Sequence, residues 1–362
     1  MLDARIASAV DMCVARRIPF VCYQLPCSDN VVFFADNMPQ GSAGIDVGAS
    51  VVSFFANDFH KSLGSPLVIR PLLGVEDVLG YDGVVPDLSL APSPWRYDTV
   101  REEYRDGLCG LIARLEKSGG KTVISRVLTG DAAGVRWSDV CEIYFDGFDG
   151  CFRYCFYHPL AGCWIGATPE LLLDCDMRSG DVATMSLAGT RPVAEHERPW
   201  DVKNVEEHDI VTRYIADTLA AVGVSCSVSD AESLRYGKIE HLCHRIMGNI
   251  GDRSPFDILN RLSPTPALAG YPLERALGDI AEIERHPRLM YGGYIGIIDG
   301  GRLRAFVNIR CAHFDTERYC LYGGGGITSK SVPEVEWNEA AAKMSPLLDA
   351  IGEARKITDT TA

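Results

Sequence analysis

From Lys121 onward the chain reads as a succession of strand-like runs, at 121–128, 151–157, 170–174, 182–187, 303–311 and 318–323. Helical spacing interrupts them at about 201–221, 271–284 and 333–351. This order has no regular βαβ alternation, which disfavours a doubly wound nucleotide-binding sheet and points to a mixed α+β fold. No G-x-G-x-x-G and no G-x-x-x-x-G-K-[ST] occurs. The glycine run 323–326 does leave a strand, but no Lys-Ser or Lys-Thr pair follows it in P-loop register.

The first part of the chain is less regular. Ile6, Val10, Cys13 and Val14 lie at helical spacing over 4–16, and short strand-like runs follow at 19–24, 31–35 and 51–55. "LAPSPWRYD", from Leu90, reads as a linker, because Pro92 and Pro94 suit neither helix nor central strand. A helix from about Asp98 to Lys117 should follow, ended by Gly119 and Gly120.

Composition excludes several classes. Forty-nine acids against thirty-five bases give a net charge of −14, so neither nucleic acid nor an anionic membrane is expected as partner. Thirteen cysteines occur without a C-x-x-C pair, and many sit in apolar runs, as Cys22 and Cys320 do, so disulfide and zinc readings are weak. Asp3, Arg5 and Asp11 break up the N-terminal segment, which is no secretory h-region, and no apolar run approaches membrane-spanning length. A cytoplasmic protein is expected.

Two helices carry acids where apolar residues belong. In 333–351 the inward stripe should hold Leu347, Leu348 and Ile351, and stepping back by threes and fours brings Met344, Lys343, Ala340 and Glu336 onto or beside it. Glu339 lies three residues from Glu336 and four from Lys343, so the three form one patch. An ordinary surface Glu339–Lys343 pair is the plain alternative, worth a few tenths of a kcal/mol. In 201–221 the stripe is Ile210, Val211, Tyr214, Ile215, Thr218 and Leu219, and Glu207 continues it, whereas Glu206 and Asp209 can face water. A buried lone carboxylate costs several kcal/mol, so inward acids need cations or a raised pKa. Two helices delivering them suggest a shared hard cation such as Mg²⁺, bound by oxygens.

Further segments stand out: "KTVISR" (121–126), "GATPELLL" (166–173), "SLAGTRP" (186–192), "SPTPALAGYP" (263–272) and "FVNIRCA" (306–312). With "EEHDIV", "EHLCHRIMG", "YGGYIGIID", "YGGGGI" and "EWNEAAAK" they resemble, in order, the chorismate-utilising enzymes: anthranilate, aminodeoxychorismate, salicylate and isochorismate synthases. The resemblance covers roughly 115–351 and implies the anthranilate synthase component I-like fold, antiparallel-rich sheets in a sandwich with helices outside. It also implies one domain over 1–362, to which residues 1–95 belong by position. Lys121 stands where isochorismate and salicylate synthases carry a water-activating lysine and anthranilate synthases usually have glutamine. Ala188 stands where aminodeoxychorismate synthases often have a lysine, and "PTPALAGYP" resembles the isochorismate synthase loop.

For the site, the resemblance implies Lys121 as general base for water attack at C2 of chorismate. Glu170 would be the acid that protonates the departing C4 hydroxyl. Glu207 and Glu339 would ligate Mg²⁺, with Glu336 nearby. Gly189 and Thr190 would help hold the ring carboxylate, and Arg310, Gly324 and Lys343 the enolpyruvyl carboxylate. His241, Ala267, Leu268, Tyr291 and Ile309 would line the pocket. Residual chemistry agrees: a lysine base needs its proton affinity lowered, and an acid followed by Leu171, Leu172 and Leu173 should have it raised. Asn204, where relatives often have an acid, and His244, where Ser or Thr is common, depart from the pattern. The implied protein is a monomeric isochorismate synthase acting between chorismate and isochorismate without a glutaminase subunit, in menaquinone or siderophore synthesis. A salicylate synthase, or an inactive chorismate-binding homologue, is the alternative.

Overall fold

A computed structural model describes residues 2–37, 52–83, 91–237 and 239–361. The order begins α1 (Ala4–Arg16), β1 (Phe20–Gln24), β2 (Val31–Ala35), β3 (Ser53–Asn57), β4 (Leu67–Ile69), α2 (Val75–Leu79) and α3 (Arg101–Ser118). Next come β5 (Lys121–Asp131), α4 (Trp137–Asp146), β6 (Phe152–His158), β7 (Gly162–Thr168), β8 (Leu171–Asp176), β9 (Asp181–Pro192) and α5 (Val202–Ala221). β10 (Cys226–Val228), β11 (Glu232–Tyr236), β12 (Ile239–Asn249), α6 (Pro255–Leu262), β13 (Gly270–Tyr271) and α7 (Leu273–Ile283) follow. The last described elements are β14 (Tyr294–Asp299), β15 (Arg302–Val307), β16 (Cys311–Phe314), β17 (Arg318–Ile327) and α8 (Pro333–Thr361).

The strands form two antiparallel sheets. The first has eight strands in the order β13-β5-β17-β16-β7-β6-β1-β2. The second has nine, β10-β12-β9-β8-β15-β14-β3-β4, with β11 added on β12. They face each other across one core, where Phe54 of β3 meets Phe156 of β6 at 4.9 Å and Phe306 of β15 stacks on Phe152 of β6 at 4.6 Å. Burying each such ring contributes about 1.5–3 kcal/mol. α1, α4 and the middle of α8 cover the opposite face of the first sheet through Val10, Cys13, Val140, Tyr144, Leu347 and Ile351. With apolar cover on both sides, β1, β6 and β7 are buried along their whole length and show no alternation. α3, α5, α6 and α7 join the inter-sheet core instead. The mixed α+β sandwich is the expected architecture, and its N-terminal strands are woven into both sheets.

The chain changes sheet several times, and two of these crossovers meet at the site. Between β7 and β8 it passes from the first sheet to the second, and between β15 and β16 it returns. The run 303–311 is therefore not one strand. β15 stops at Val307, and Arg310 takes a left-handed backbone, φ 54°, which no ladder accommodates. Glu170 likewise lies just before β8 rather than in it. The two crossovers are tied together by Val307 N–H donating to Glu170 O at 2.9 Å and Ala167 N–H donating to Arg310 O at 3.3 Å. Of the strand read at 51–55, Val51 lies outside the described residues and the rest is shifted to Ser53–Asn57; Leu90 of the linker also lies outside. α4, β7, β12 and α6 had no counterpart among the runs read by periodicity. No helix among the described residues is long and apolar enough to cross a membrane.

Candidate active site

One cavity is walled by the two crossovers, β9, β12, β17, the loop before β13 and α8. Glu170, Gly189, Thr190, Glu207, His241, Ala267, Leu268, Tyr291, Ile309, Arg310, Gly324, Glu339 and Lys343 all line it. Lys121 and Glu336 do not reach the wall; each sits one layer behind it. His244 also lies off the wall, its Nδ1 2.6 Å from Nε2 of His208. Asn204 acts through the backbone, because its Oδ1 accepts from Thr190 N–H at 2.9 Å.

The inward acids are paired with lysines. Lys121 is fully buried and its Nζ donates to Glu207 Oε1 at 2.9 Å. Lys343 Nζ donates to Glu339 Oε1 at 2.6 Å and to Gly324 O at 2.8 Å. Glu336 is fully buried and accepts from Lys203 Nζ at 2.8 Å. The plain i,i+4 pair of Glu339 and Lys343 thus exists, but it faces the cavity. Burial and the neighbouring Glu339 push the Glu336 carboxyl above its ordinary range. Burial is also the largest single influence on Glu339 and opposes its charge, yet Lys343, Lys203 and His241 together hold that carboxyl below its ordinary range. Removing one partner of such a buried pair costs about 3–5 kcal/mol.

β17 can pass this close to three carboxylates because it is glycine there. A Cβ on Gly325 would lie 2.8 Å from Glu336 Oε2, and one on Gly326 would lie 2.0 Å from Glu207 Oε1. Glu336 Oε2 is buried without a hydrogen-bond partner. An oxygen-only set with one orphaned oxygen fits a hard cation, which needs one or two carboxylates and completes its shell with water and substrate. Among the described residues no three His, Cys, Asp or Glu side chains already converge as a finished cage.

The crossovers supply the other two charged groups. Glu170 is buried, and burial pushes its carboxyl up to about 8 although Lys121, Lys343 and Arg310 pull it down. Such a group carries its proton at neutral pH and can donate it. Opposite it, Arg310 Nη2 lies 3.2 Å from His241 Nε2. His241 occupies an irregularity between Glu240 and Leu242 in the β12–β9 ladder, which turns its ring so that Nδ1 lies 2.9 Å from Gly189 O. A carbonyl can only accept, so Nδ1 carries the proton and Nε2 accepts from Arg310. Burial, reinforced by Arg310, lowers the His241 pKa to about 3, so the ring is neutral.

Some contributors were not legible as site residues. Lys203 lies among the acids; burial opposes its charge, but Glu336 and Glu207 outweigh it and raise its pKa. Its position one turn before Glu207 was a usable signal. Arg288 is buried against Glu284, with Nη2 to Oε1 at 2.5 Å, and its guanidinium donates to Leu268 O and Val123 O at 2.7 Å each. That pair fixes two stretches of the cavity wall, and the i,i+4 spacing of Glu284 and Arg288 is its only local trace.

Comparison with known proteins gives the family and the fold. A family model described as chorismate binding enzyme matches residues 112–352. Chloroplastic isochorismate synthase 2 of Arabidopsis thaliana is 34% identical over 234 residues, 61% of this chain and 41% of that protein. Isochorismate synthase MenF of Bacillus subtilis is 35% identical over 205 residues, 53% of this chain and 43% of that protein. The match spans about half or less of the length of these curated relatives. In fold, the structure of MenF, the menaquinone-specific isochorismate synthase of Escherichia coli, superposes with a TM-score of 0.77 at 19% identity, covering 97% of this chain and 91% of that one. A family match over 112–352, which takes in every residue of the cavity wall, identifies this chain as a member of the chorismate binding enzymes.

Proposed function

We propose that the protein is an isochorismate synthase, interconverting chorismate and isochorismate. The observation that carries this reading is the pairing of a protonated acid, Glu170, with a lysine, Lys121, whose nitrogen reaches the same cavity through Glu207. In this reading Lys121 leaves Glu207 and releases its proton to solvent, and the neutral amine then takes the proton of the water that attacks C2 of the ring. The ring double bonds shift, the C4–O bond breaks, and Glu170 protonates the departing hydroxide to water. One water enters and one leaves, so the net reaction is an isomerisation. For a water to come within about 3 Å of Lys121 Nζ, the Lys121–Glu207 pair has to open.

Arg310 and Lys343 present cationic donors to the enolpyruvyl carboxylate, while Gly189 and Thr190 face the ring carboxylate. Glu207 and Glu339 would hold Mg²⁺ with Glu336 behind them. When bound, that ion would neutralise the ring carboxylate and fix the substrate. The carboxylate set and the orphaned Glu336 oxygen support this assignment.

Lys121→Gln tests the base directly. Glutamine keeps a hydrogen bond to Glu207 but cannot take a proton from water. Turnover of chorismate should fall at least about 1,000-fold, within the range removal of a general base produces, while chorismate binding stays measurable by calorimetry. Near-normal turnover would refute the assignment.

A further inference from the structure

Arg310 is held in a conformation that its own chain does not favour. A long side chain at φ 54° persists only where its surroundings over-determine it. Tyr144 Oη of α4 donates to Arg310 O at 3.0 Å, the oxygen that also accepts from Ala167 N–H. The guanidinium lies over the ring of Tyr236, the last residue of β11, with Cζ 4.5 Å from the centroid. Tyr236 is fixed in turn. Its Oη donates to Ala167 O at 2.8 Å, and Phe148 stacks on it at 4.6 Å with the planes 16° apart.

A buried guanidinium usually holds a carboxylate. Among the described residues none is ion-paired with Arg310; its polar partner is the neutral His241. The ring of Tyr236 attracts the cation through its face, so the in-plane N–H groups not given to His241 stay free for an incoming anion. An internal Asp or Glu in that place would take those donors and compete with the substrate. We propose that Tyr236 is the positioning residue that keeps Arg310 aimed and uncommitted, and so sets affinity for the substrate carboxylate. This rests on the chorismate reading of the cavity and deepens it.

The test is steady-state kinetics with chorismate on wild type, Tyr236→Leu and Tyr236→Phe, with thermal melts alongside. An Arg310 contact made equally in ground and transition states moves KM and spares kcat. Tyr236→Leu should raise KM about tenfold with kcat within about threefold. Tyr236→Phe keeps the ring under Arg310 and loses the hydroxyl's bonds, to Ala167 O and to the Tyr144 hydroxyl: its Tm should fall, yet its KM should return to within about twofold of wild type. A purely structural role would not separate KM from Tm in this way. Tyr144→Phe, nearly isosteric, removes the bond to the Arg310 carbonyl and should raise KM about threefold; it decides the matter if Tyr236→Leu does not fold. Unchanged KM in Tyr236→Leu, or in Tyr144→Phe where the leucine variant fails, overturns the positioning role, as does failure of phenylalanine to restore KM. Wild-type protein that does not bind chorismate sinks the substrate reading as well, and that outcome is distinct from wild-type binding with unmoved variants.

Discussion

Glu170 sits at the β7–β8 crossover with burial as the dominant influence on its proton. The carboxyl titrates at about 8 instead of the ordinary 4.5. In the reading proposed here it must be protonated to release the C4 hydroxyl, so kcat/KM for chorismate should be insensitive to its titration below about pH 7. It should fall about tenfold per unit above about pH 8. The folded protein also binds this proton more tightly than the unfolded chain. Its contribution to stability is therefore full below pH 4.5 and is lost as pH rises through about 8. Glu170→Gln should abolish turnover and flatten that part of the Tm profile. An unchanged wild-type kcat/KM up to pH 9.5 would contradict the acid role. The apolar context that raises Glu170 was legible as three leucines after it, and the inward aim of Glu207, Glu336 and Glu339 was legible from helical steps of three and four. Arg310 was misplaced in a strand, because a left-handed residue within an apolar run leaves no mark on periodicity. Tyr236 was missed for a different reason: an aromatic at a strand end looks like core, and only its partner reveals its role.

At the scale of elements, the site depends on how closely β17 approaches α5 and α8. Gly326 faces Glu207, where a methyl group would lie 2.0 Å from Oε1 and 3.0 Å from Lys121 Cε. Gly326→Ala should displace Glu207 and cost at least about 100-fold in kcat/KM, since misplacement by about 1 Å is worth that much. Gly352, in α8 with nothing within 4 Å of its would-be Cβ, is the control. Gly352→Ala should leave kcat/KM unchanged and raise stability by about 0.5–1 kcal/mol. Equal kinetics for the two variants would remove the close-approach account. Trp337 secures the other side of this contact, lying 3.7 Å from the Arg126 guanidinium carbon of β5 and 5.7 Å from that of Arg101 in α3. α4 was overlooked although its buried face, Trp137, Val140, Cys141, Tyr144 and Phe145, has regular helical spacing. β12 was harder, because His241 and His244 interrupt its apolar residues and the ladder itself shifts at His241.

At the scale of the molecule, the site is a consequence of topology. Lys121 and the glycines lie on the first sheet, Gly189 and His241 on the second, and Glu170 and Arg310 on two of the connections between them. The mixed α+β class could be inferred because the strands lack regular βαβ alternation, and the sandwich followed only from the family resemblance. Strand order could not, since pairs such as β5 with β17 join residues about two hundred positions apart, as Lys121's neighbour Thr122 and Ile327 show. The segment before β5 left the least trace in the sequence, yet β1 and β2 extend the first sheet while β3 and β4 extend the second. Function is carried by the contents of the cavity, and one incubation examines it: purified protein with chorismate and Mg²⁺, products separated by chromatography. The account predicts isochorismate approaching a fixed ratio with chorismate from either direction, with no salicylate and no pyruvate. Salicylate formed without an added lyase, or chorismate recovered unchanged, would contradict it.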